Sequence, residues 1–403
     1  MGTCLLCLAD AVEPALDLGR QPVSAHLASS SDAAVEEHPL GIGICCCCGT
    51  VQLLRPFPYR SLVPRFSWIT YREPEDHLDA LVQTVVGLPG IGKEAVIAGV
   101  SYKDRSTLAR FRRLGFERTW CLEPKGDLEA SDALANIETV HGLLSSERAA
   151  EIAARRGPVD VLIARHILEH AGAPARFLGA LRGLVRDGGY LVIEVPDCEA
   201  NLEWQDYTMI WEEHSLYFTP RTFRHVPSLS GCEPVFAGNY PYVFENCLVQ
   251  IGRVADGHSP SALPTPAPAE LEKLRAYSGA FSRWSEAYRA YLRSIRGQAG
   301  KPALYGAGHL TSAFVNFHGL AEEFAFVVDD TPQKQGLFLP KCGLPIVPRA
   351  ALDAASVPVC LLGLSPENED KVIAANTRFT DAGGYFASIF AASRRSLRHA
   401  LSS

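Results

Sequence analysis

Nowhere does the 403-residue chain contain an apolar run of the roughly 18 residues that a membrane-spanning helix needs. Its N-terminus, MGTCLLCLADAVEPALD, lacks both the basic start and the long apolar stretch of a secretory signal, so a cytoplasmic, non-membrane protein is expected. Lys/Arg-rich clusters are lacking too, and the formal charge is −7 at pH 7. No nucleic-acid partner is therefore expected, and a small-molecule substrate is. Glycine is scarce where a nucleotide-binding turn wants it: Gly99 stands alone after the first strand of the central region, and the later Gly306-Ala-Gly308 turn has no third glycine.

What is present is an ordinary globular composition, 47% hydrophobic and 21% charged, long enough for roughly two to four domains with large cores. The chain has 12 cysteines. Cys121, Cys198, Cys232, Cys247, Cys342 and Cys360 are scattered and read as inert thiols. Cys4-x-x-Cys7 and Cys45-x-x-Cys48 are different: each pair lets two thiolates from one tight turn reach a tetrahedral ion, and two such turns make a closed structural zinc site. Gly49 supplies the left-handed residue after the second turn. Cys46 and Cys47 leave the ligand choice ambiguous.

Between about 82 and 252, strand-like and helix-like stretches alternate, which predicts a mostly parallel sheet in an α/β fold. The strand candidates are 95–100, 118–122, 159–164, 190–195, 234–237 and 247–251. A turn after strand one that lets backbone approach a ligand, with Glu123 after strand two to accept from ribose hydroxyls, is a doubly wound recipe for a nucleoside-containing cofactor. Residues 253–270 are rich in Pro, Ala and Ser and read as a linker; a helix follows to about Arg296 with an apolar stripe at three- and four-residue steps. Beyond it, strand, Gly306-x-Gly308, helix, strand and Asp329 form half a Rossmann unit. The expected domains are residues 1–75, 76–252, 253–297 (linker and helix) and 298–403.

The richest stretch is 190–218, YLVIEVPDCEANLEWQDYTMIWEEHSLYF. Leu191, Val192, Ile193 and Val195 form a buried strand that Pro196 ends. Ligands bind beyond the carboxyl ends of such strands, and here aromatics and carboxylates lead to Trp211-Glu212-Glu213-His214. A histidine beside two carboxylates is a candidate general base.

Cys4-x-x-Cys7 with Cys45-x-x-Cys48-Gly49, Ala164-Arg-His-Ile-Leu-Glu-His170, Gly188-Gly189-Tyr-Leu-Val-Ile-Glu-Val-Pro196, Glu213-His214-Ser-Leu-Tyr217-Phe218 and Val328-Asp-Asp-Thr-Pro-Gln-Lys-Gln-Gly336 together resemble the S-adenosylmethionine (SAM) dependent sugar C-methyltransferases of deoxysugar natural-product pathways. The resemblance spans nearly the whole chain. It implies a small zinc-binding N-terminal module, a class I methyltransferase domain and a C-terminal Rossmann-like domain, in a monomer or dimer. His214 would remove the proton from a carbon next to the ketone of a nucleotide-linked keto-sugar, and Glu213 would orient it. Where the family has a tyrosine and a second histidine, this chain has Trp211 and Glu212. Tryptophan cannot donate a phenolic proton, so the developing oxyanion needs another donor, with Tyr71 or Tyr207 as candidates. The cofactor expectation covers Gly99, Ser101, Asp104, Glu123, Arg165 and His166, and the substrate expectation Tyr207, Tyr217, Gly306, Gly308 and Asp329, with Trp68 added from the aromatic, proline-broken stretch 57–71 that could line a pocket or pack the small module.

Three other readings compete. His166-x-x-Glu169-His170 matches an inverted zinc-protease motif, which is set aside because the segment opens from a strand end and is expected to form a packing helix. An NAD(P)-dependent oxidoreductase would use Gly306, Gly308 and Asp329. A catalytically inactive methyltransferase-like binding protein is the reading that the glycine-poor loop favours.

Overall fold

The computed structural model describes residues 2–67, 73–255, 268–354 and 357–401, so Trp68 and Tyr71 lie outside the described residues. The chain divides into two compact units, one of Met1–Ala15, Ile42–Glu199 and Glu213–Leu271, the other of Leu16–Gly41, Ala200–Glu212 and Glu272–Ser403. In order, its strands are β1 (Val12–Pro22), β2 (Glu37–Cys45), β3 (Val51–Leu53), β4 (Ile97–Gly99), β5 (Thr119–Cys121), β6 (Val159–Arg165), β7 (Val185–Pro196) and β8 (Leu216–Tyr217). They continue with β9 (Cys232–Tyr240), β10 (Cys247–Val254), β11 (Ala303–Tyr305), β12 (Val327–Val328), β13 (Ile346–Val347), β14 (Val359–Leu362) and β15 (Tyr385–Ser388).

The centre of the first unit is a six-stranded sheet in the order β5-β4-β6-β7-β10-β9, parallel through β7 and closed by the antiparallel pair β10 and β9. All six expected strands are there, and this is a class I methyltransferase sheet. Both faces are covered, because successive side chains on a strand point to opposite sides. On β6, Val161 and Ile163 pack with Leu78, Leu81, Val82, Val85, Leu108 and Phe111 of helices Leu78–Val86 and Arg105–Arg113. Leu162 and Ala164 pack on the other side with Ala149, Ile152, Phe177, Leu178 and Leu181 of helices Ser146–Arg156 and Pro174–Leu184. Each fully buried leucine or isoleucine contributes about 1.5–3 kcal/mol.

Two details depart from the sequence reading. Residues 167–170 form a turn and no packing helix. The N-terminal segment, read only as two cysteine turns, carries strands: β3 pairs antiparallel with β2 and with β8. Pro14, Pro22 and Pro39 sit in or at the ends of β1 and β2 and mask the strand signal.

The second unit contains a five-stranded parallel sheet, β13-β12-β11-β14-β15, which is the Rossmann-type order with its reversal between β11 and β14. The stripe on helix Pro268–Ala299 is core within this unit: Leu274, Tyr277, Tyr288 and Leu292 are buried, and Tyr288 packs on Phe314 and His318.

Gly99 has a structural reason. A Cβ there would lie 2.6 Å from Asp104 Cβ and 3.2 Å from Leu108 Cδ1. Gly99→Ala is expected to cost about 2 kcal/mol by overpacking, read as a lower denaturant midpoint at unchanged slope.

Candidate functional site

Cys4, Cys7, Cys45 and Cys48 meet in one cluster, with all four sulfurs within 4.8 Å of one another. Cys4 and Cys48 are 3.7 Å apart and Cys7 and Cys45 are 3.6 Å apart, close to the roughly 3.8 Å edge of a tetrahedron built on 2.3 Å Zn–S bonds. Backbone N–H groups of Cys7 and Cys47 point at the sulfurs of Cys4 and Cys45. Gly49 takes the left-handed conformation, φ 79°, and Leu8 does the same in the first turn, φ 65°. The cluster fits a structural Zn2+. Cys46 and Cys47 are outside this four-sulfur set.

The carboxyl ends of β4, β6 and β7 hold a second, larger polar centre. Register places Arg165 opposite Glu194. The Arg165 guanidinium binds both Glu194 oxygens, at 2.9 and 3.0 Å, and donates to the carbonyls of Lys103 and Pro74. The same carboxylate lies 2.8 Å from His166 Nε2 and 3.0 Å from His77 Nε2. Burial would raise Glu194, but His166, His77 and Arg165 together hold it well below the usual carboxylate range. His166 pays in geometry, with φ 46°, a left-handed backbone that a β-substituted residue adopts only where the surroundings impose it. Despite burial its imidazole is pushed well above its ordinary value by Glu73, Cys247, Glu169 and Glu194. Glu73 pairs with buried Lys103 and, against its own desolvation, falls to about 2.

Asp104 locks the turn after β4. Its carboxylate accepts from the backbone N–H groups of Val100, Ser101 and Arg165 at 2.8, 2.8 and 2.9 Å, and burial still raises it to about 7. Ser101 Oγ caps the same turn by accepting from Lys103 N. Gly99, Ser101, Asp104, Arg165 and His166 thus lie together, but the hydrogen bonds of Ser101, Asp104 and Arg165 are spent on the protein itself. Glu123, by contrast, is exposed just past β5. It is the one acid of the expected cofactor set with a carboxylate open to a ribose diol. Glu169 Oε2 is buried without a hydrogen-bond partner among the described residues. An open acid at the strand-two position and an orphaned buried carboxylate oxygen fit a cofactor that carries a ribose and a positive charge.

The candidate catalytic pair stands next to this centre. The backbone N–H groups of Ser215 and Leu216 both donate to the Glu169 carbonyl, at 2.6 and 3.1 Å, which draws the 213–217 segment onto the 167–170 turn. The His170 and His214 rings consequently meet edge to face, 4.6 Å between centroids. Glu169, His170 and His214 form one close group, and Glu138, His170 and Glu213 another. His170 Nδ1 is 2.6 Å from Glu138 Oε1, whose other oxygen is 2.7 Å from His141 Nε2. Desolvation, then the neighbouring His214 and Lys103, keep His170 well below its ordinary value, hence neutral.

Sequence reasoning missed Glu138, Glu194, Glu73 and His170 as members of this centre. A signal was there for Glu138, an acid between the buried Ile137 and Val140 of a helix. Glu169 and His170, read as helix packing, face the candidate base because their segment is a turn. With His166 held by Glu194 and no helix to align it with His170, the zinc-protease geometry is absent.

Other expected site residues are placed elsewhere. Trp211 and Glu212 belong to the second unit, whereas Glu213 and His214 belong to the first. Trp211 stacks on His309 at 4.8 Å, and Glu212 accepts from Ser24 N and Oγ. Tyr207 is corrected as an oxyanion or substrate contact: its buried hydroxyl donates to the Tyr277 carbonyl at 2.8 Å inside the second unit's core. Tyr217 is buried on β8, 6.4 Å from His214 between ring centroids. Gly306 (φ 99°) and Gly308 form the turn after β11, where Asp329 accepts from Ala307 N at 2.8 Å and pairs with Lys334 at 3.0 Å. The acid that NAD would need for its ribose is thereby occupied.

Comparison with known proteins points the same way. Residues 104–235 match the model of a methyltransferase domain, and residues 267–390 match that of a C-methyltransferase C-terminal domain. Over both regions the chain is similar to methyltransferases. It is a SAM-dependent methyltransferase: the C-methyltransferase NovU of Streptomyces niveus is 25% identical over 401 residues, 95% of this chain and 94% of that one. Among solved structures, an O-methyltransferase family protein from Burkholderia thailandensis matches 44% of this chain and 56% of its own length at 15% identity and TM-score 0.28. A putative sarcosine dimethylglycine methyltransferase from Galdieria sulphuraria matches 44% and 85% at 9% identity and TM-score 0.31.

The polar centres generate three predictions. Metal analysis of the purified protein should find a single equivalent of zinc, lost in Cys45→Ser together with much of the stability. Glu194→Gln should cost about 3–5 kcal/mol in chemical denaturation, because it strands Arg165 in a dry interior. The pH dependence runs in one direction here. Glu73, lowered from 4.5 to about 2, contributes stability that is present above about pH 5 and lost as pH falls toward 2, visible as a falling melting temperature.

Proposed function

We propose that the protein transfers a methyl group from SAM to a carbon α to a carbonyl, in a nucleotide-linked keto-sugar or a related natural-product intermediate, with His214 as general base and Glu213 orienting it. The observation that carries this reading is the meeting of the Glu213-His214 segment with Glu138, Glu169 and His170. A base that must leave as an imidazolium benefits from carboxylates around it. Glu138, Glu169 and Glu213 supply them, while His170, kept neutral, adds no repulsion of its own.

In this reading His214 takes the α-proton, and the electron pair left behind delocalises onto the carbonyl oxygen as an enolate. Bound SAM supplies an electrophilic methyl group. Glu123 holds its ribose, and the ordered β4 turn, clamped by Asp104, sets the floor of its site without reorganising. The Cys4 cluster shapes the N-terminal segment, a structural role away from bond making. The name of NovU, a C-methyltransferase, supports carbon as the methylated atom.

Calorimetric titration should show micromolar SAM binding and none for NADH; no binding of SAM would remove the assignment. His214→Ala should leave SAM affinity within about threefold while lowering methyl transfer to a nucleotide-linked 4-keto-6-deoxysugar by about 100-fold or more. An unchanged rate would take His214 out of the mechanism.

A further inference from the structure

Glu169, His170 and His214 offer one carboxylate oxygen and two ring nitrogens that all lie within 4.8 Å of one another, inside the first unit and sharing no residue with the four-cysteine cluster. Three hydrogen bonds brace the two segments that carry them. Ser215 N and Leu216 N donate to the Glu169 carbonyl at 2.6 and 3.1 Å, and Ser215 Oγ donates to the His170 carbonyl at 3.4 Å. Leu216 is fixed in turn by pairing with Gln52 of β3. Two imidazoles and one carboxylate on a braced backbone are the donor set of an open metal site, in which three protein ligands leave a position for water or another ligand.

Two further observations point to an ion. Glu169 is 1% exposed, and its Oε2 has no hydrogen-bond partner among the described residues, while its Oε1 stands 3.5 Å from His166 Nδ1. A buried carboxylate oxygen left bare carries a desolvation penalty that a bound cation offsets. His170, in turn, is oriented as metal-binding histidines are. Its Nδ1 is 2.6 Å from Glu138 Oε1, and Glu138 Oε2 is 2.7 Å from His141 Nε2. A hydrogen bond from Nδ1–H to a carboxylate fixes the tautomer in which Nε2 keeps its lone pair, and such a carboxylate commonly stands behind a metal-bound histidine. His214 is half-buried, so an ion can reach the group from solvent.

We propose that Glu169, His170 and His214 form a second metal site, which takes a divalent ion of the later first transition row such as Zn2+, Co2+ or Ni2+, and that filling it inhibits methyl transfer. The inhibition rests on the function proposed above; the site itself does not. Imidazole nitrogens select these ions over Mg2+ and Ca2+, which favour oxygen ligands. The carboxylates that favour a proton on His214 also favour a metal ion on it. A metal-bound imidazole keeps its remaining nitrogen protonated at neutral pH, so neither ring nitrogen can then take the α-proton. The orphaned Glu169 oxygen likewise receives one cation at a time, the sulfonium of SAM or the metal ion.

The test starts from full-length protein whose four-cysteine site already holds zinc. Calorimetric titration with Zn2+ should show one further equivalent bound, and titration with Mg2+ none. His214→Ala and His170→Ala should each lose that equivalent. Glu138→Gln, which leaves all three ligands in place, should weaken it by about 10- to 100-fold. Co2+ taken up in the same way should give the d–d absorption of nitrogen and oxygen ligation without a thiolate charge-transfer band. Methyl transfer to a nucleotide-linked 4-keto-6-deoxysugar should fall by about tenfold or more as the site fills. No further equivalent in the wild type, a thiolate band alone, or uptake unchanged in both histidine variants overturns the site and leaves the base role of His214 standing. Uptake as expected with methyl transfer undiminished overturns the inhibition, and with it the base role, while the metal site stands.

Discussion

The buried carboxylate of Glu194 is the interaction on which the catalytic half of this methyltransferase depends. One side chain, fully removed from water, gathers Arg165 and His166 from the end of β6 and His77 from the start of helix Leu78–Val86. Two charges buried together are poor stabilisers in themselves, since desolvation consumes most of their attraction. Their value here is positional. They hold His166 in a left-handed backbone and let Arg165 tie down the carbonyls of Lys103 and Pro74, and so the whole rim above the sheet has one arrangement.

The rim also explains how a glycine-poor loop remains ordered. In a glycine-rich turn the backbone makes room for the cofactor. After β4 the backbone is instead turned inward on Asp104, and a buried carboxylate accepting three N–H bonds does the work of conformational freedom. The loop is rigid before anything binds, and the open contacts lie at Glu123 and at the orphaned oxygen of Glu169. A site of this kind is preorganised, and it holds an excess of negative charge suited to a sulfonium-bearing cofactor.

The second unit has a Rossmann-type sheet whose ribose-binding acid has been recruited to hold its own glycine turn, through Ala307 and Lys334. Trp211 and Glu212 are absorbed into that unit by His309 and Ser24, one peptide bond before the candidate catalytic pair begins. Trp211, where the family that this chain resembles has a tyrosine, is therefore coherent with packing in the second unit.

Much was readable from the residues alone. Cys4-x-x-Cys7 and Cys45-x-x-Cys48 announce their cluster because ligand spacing is local, and the parallel strands announce themselves through continuous apolar runs, as in 190–195. The candidate pair Glu213-His214 stood out because it closes an aromatic and acidic stretch that follows a proline-stopped strand end. What the tertiary structure alone decided is which distant groups share the site. Glu138 is an ordinary acid in the chain, on a short helix. Only its approach to His170 and the Ser215 and Leu216 bonds to Glu169 bring it beside the candidate base. Tyr207 shows the converse, an inviting aromatic in the right stretch whose hydroxyl is spent in a core. Local spacing fixes what a residue can do; long-range packing, which has no signature in a single stretch of sequence, fixes what it meets.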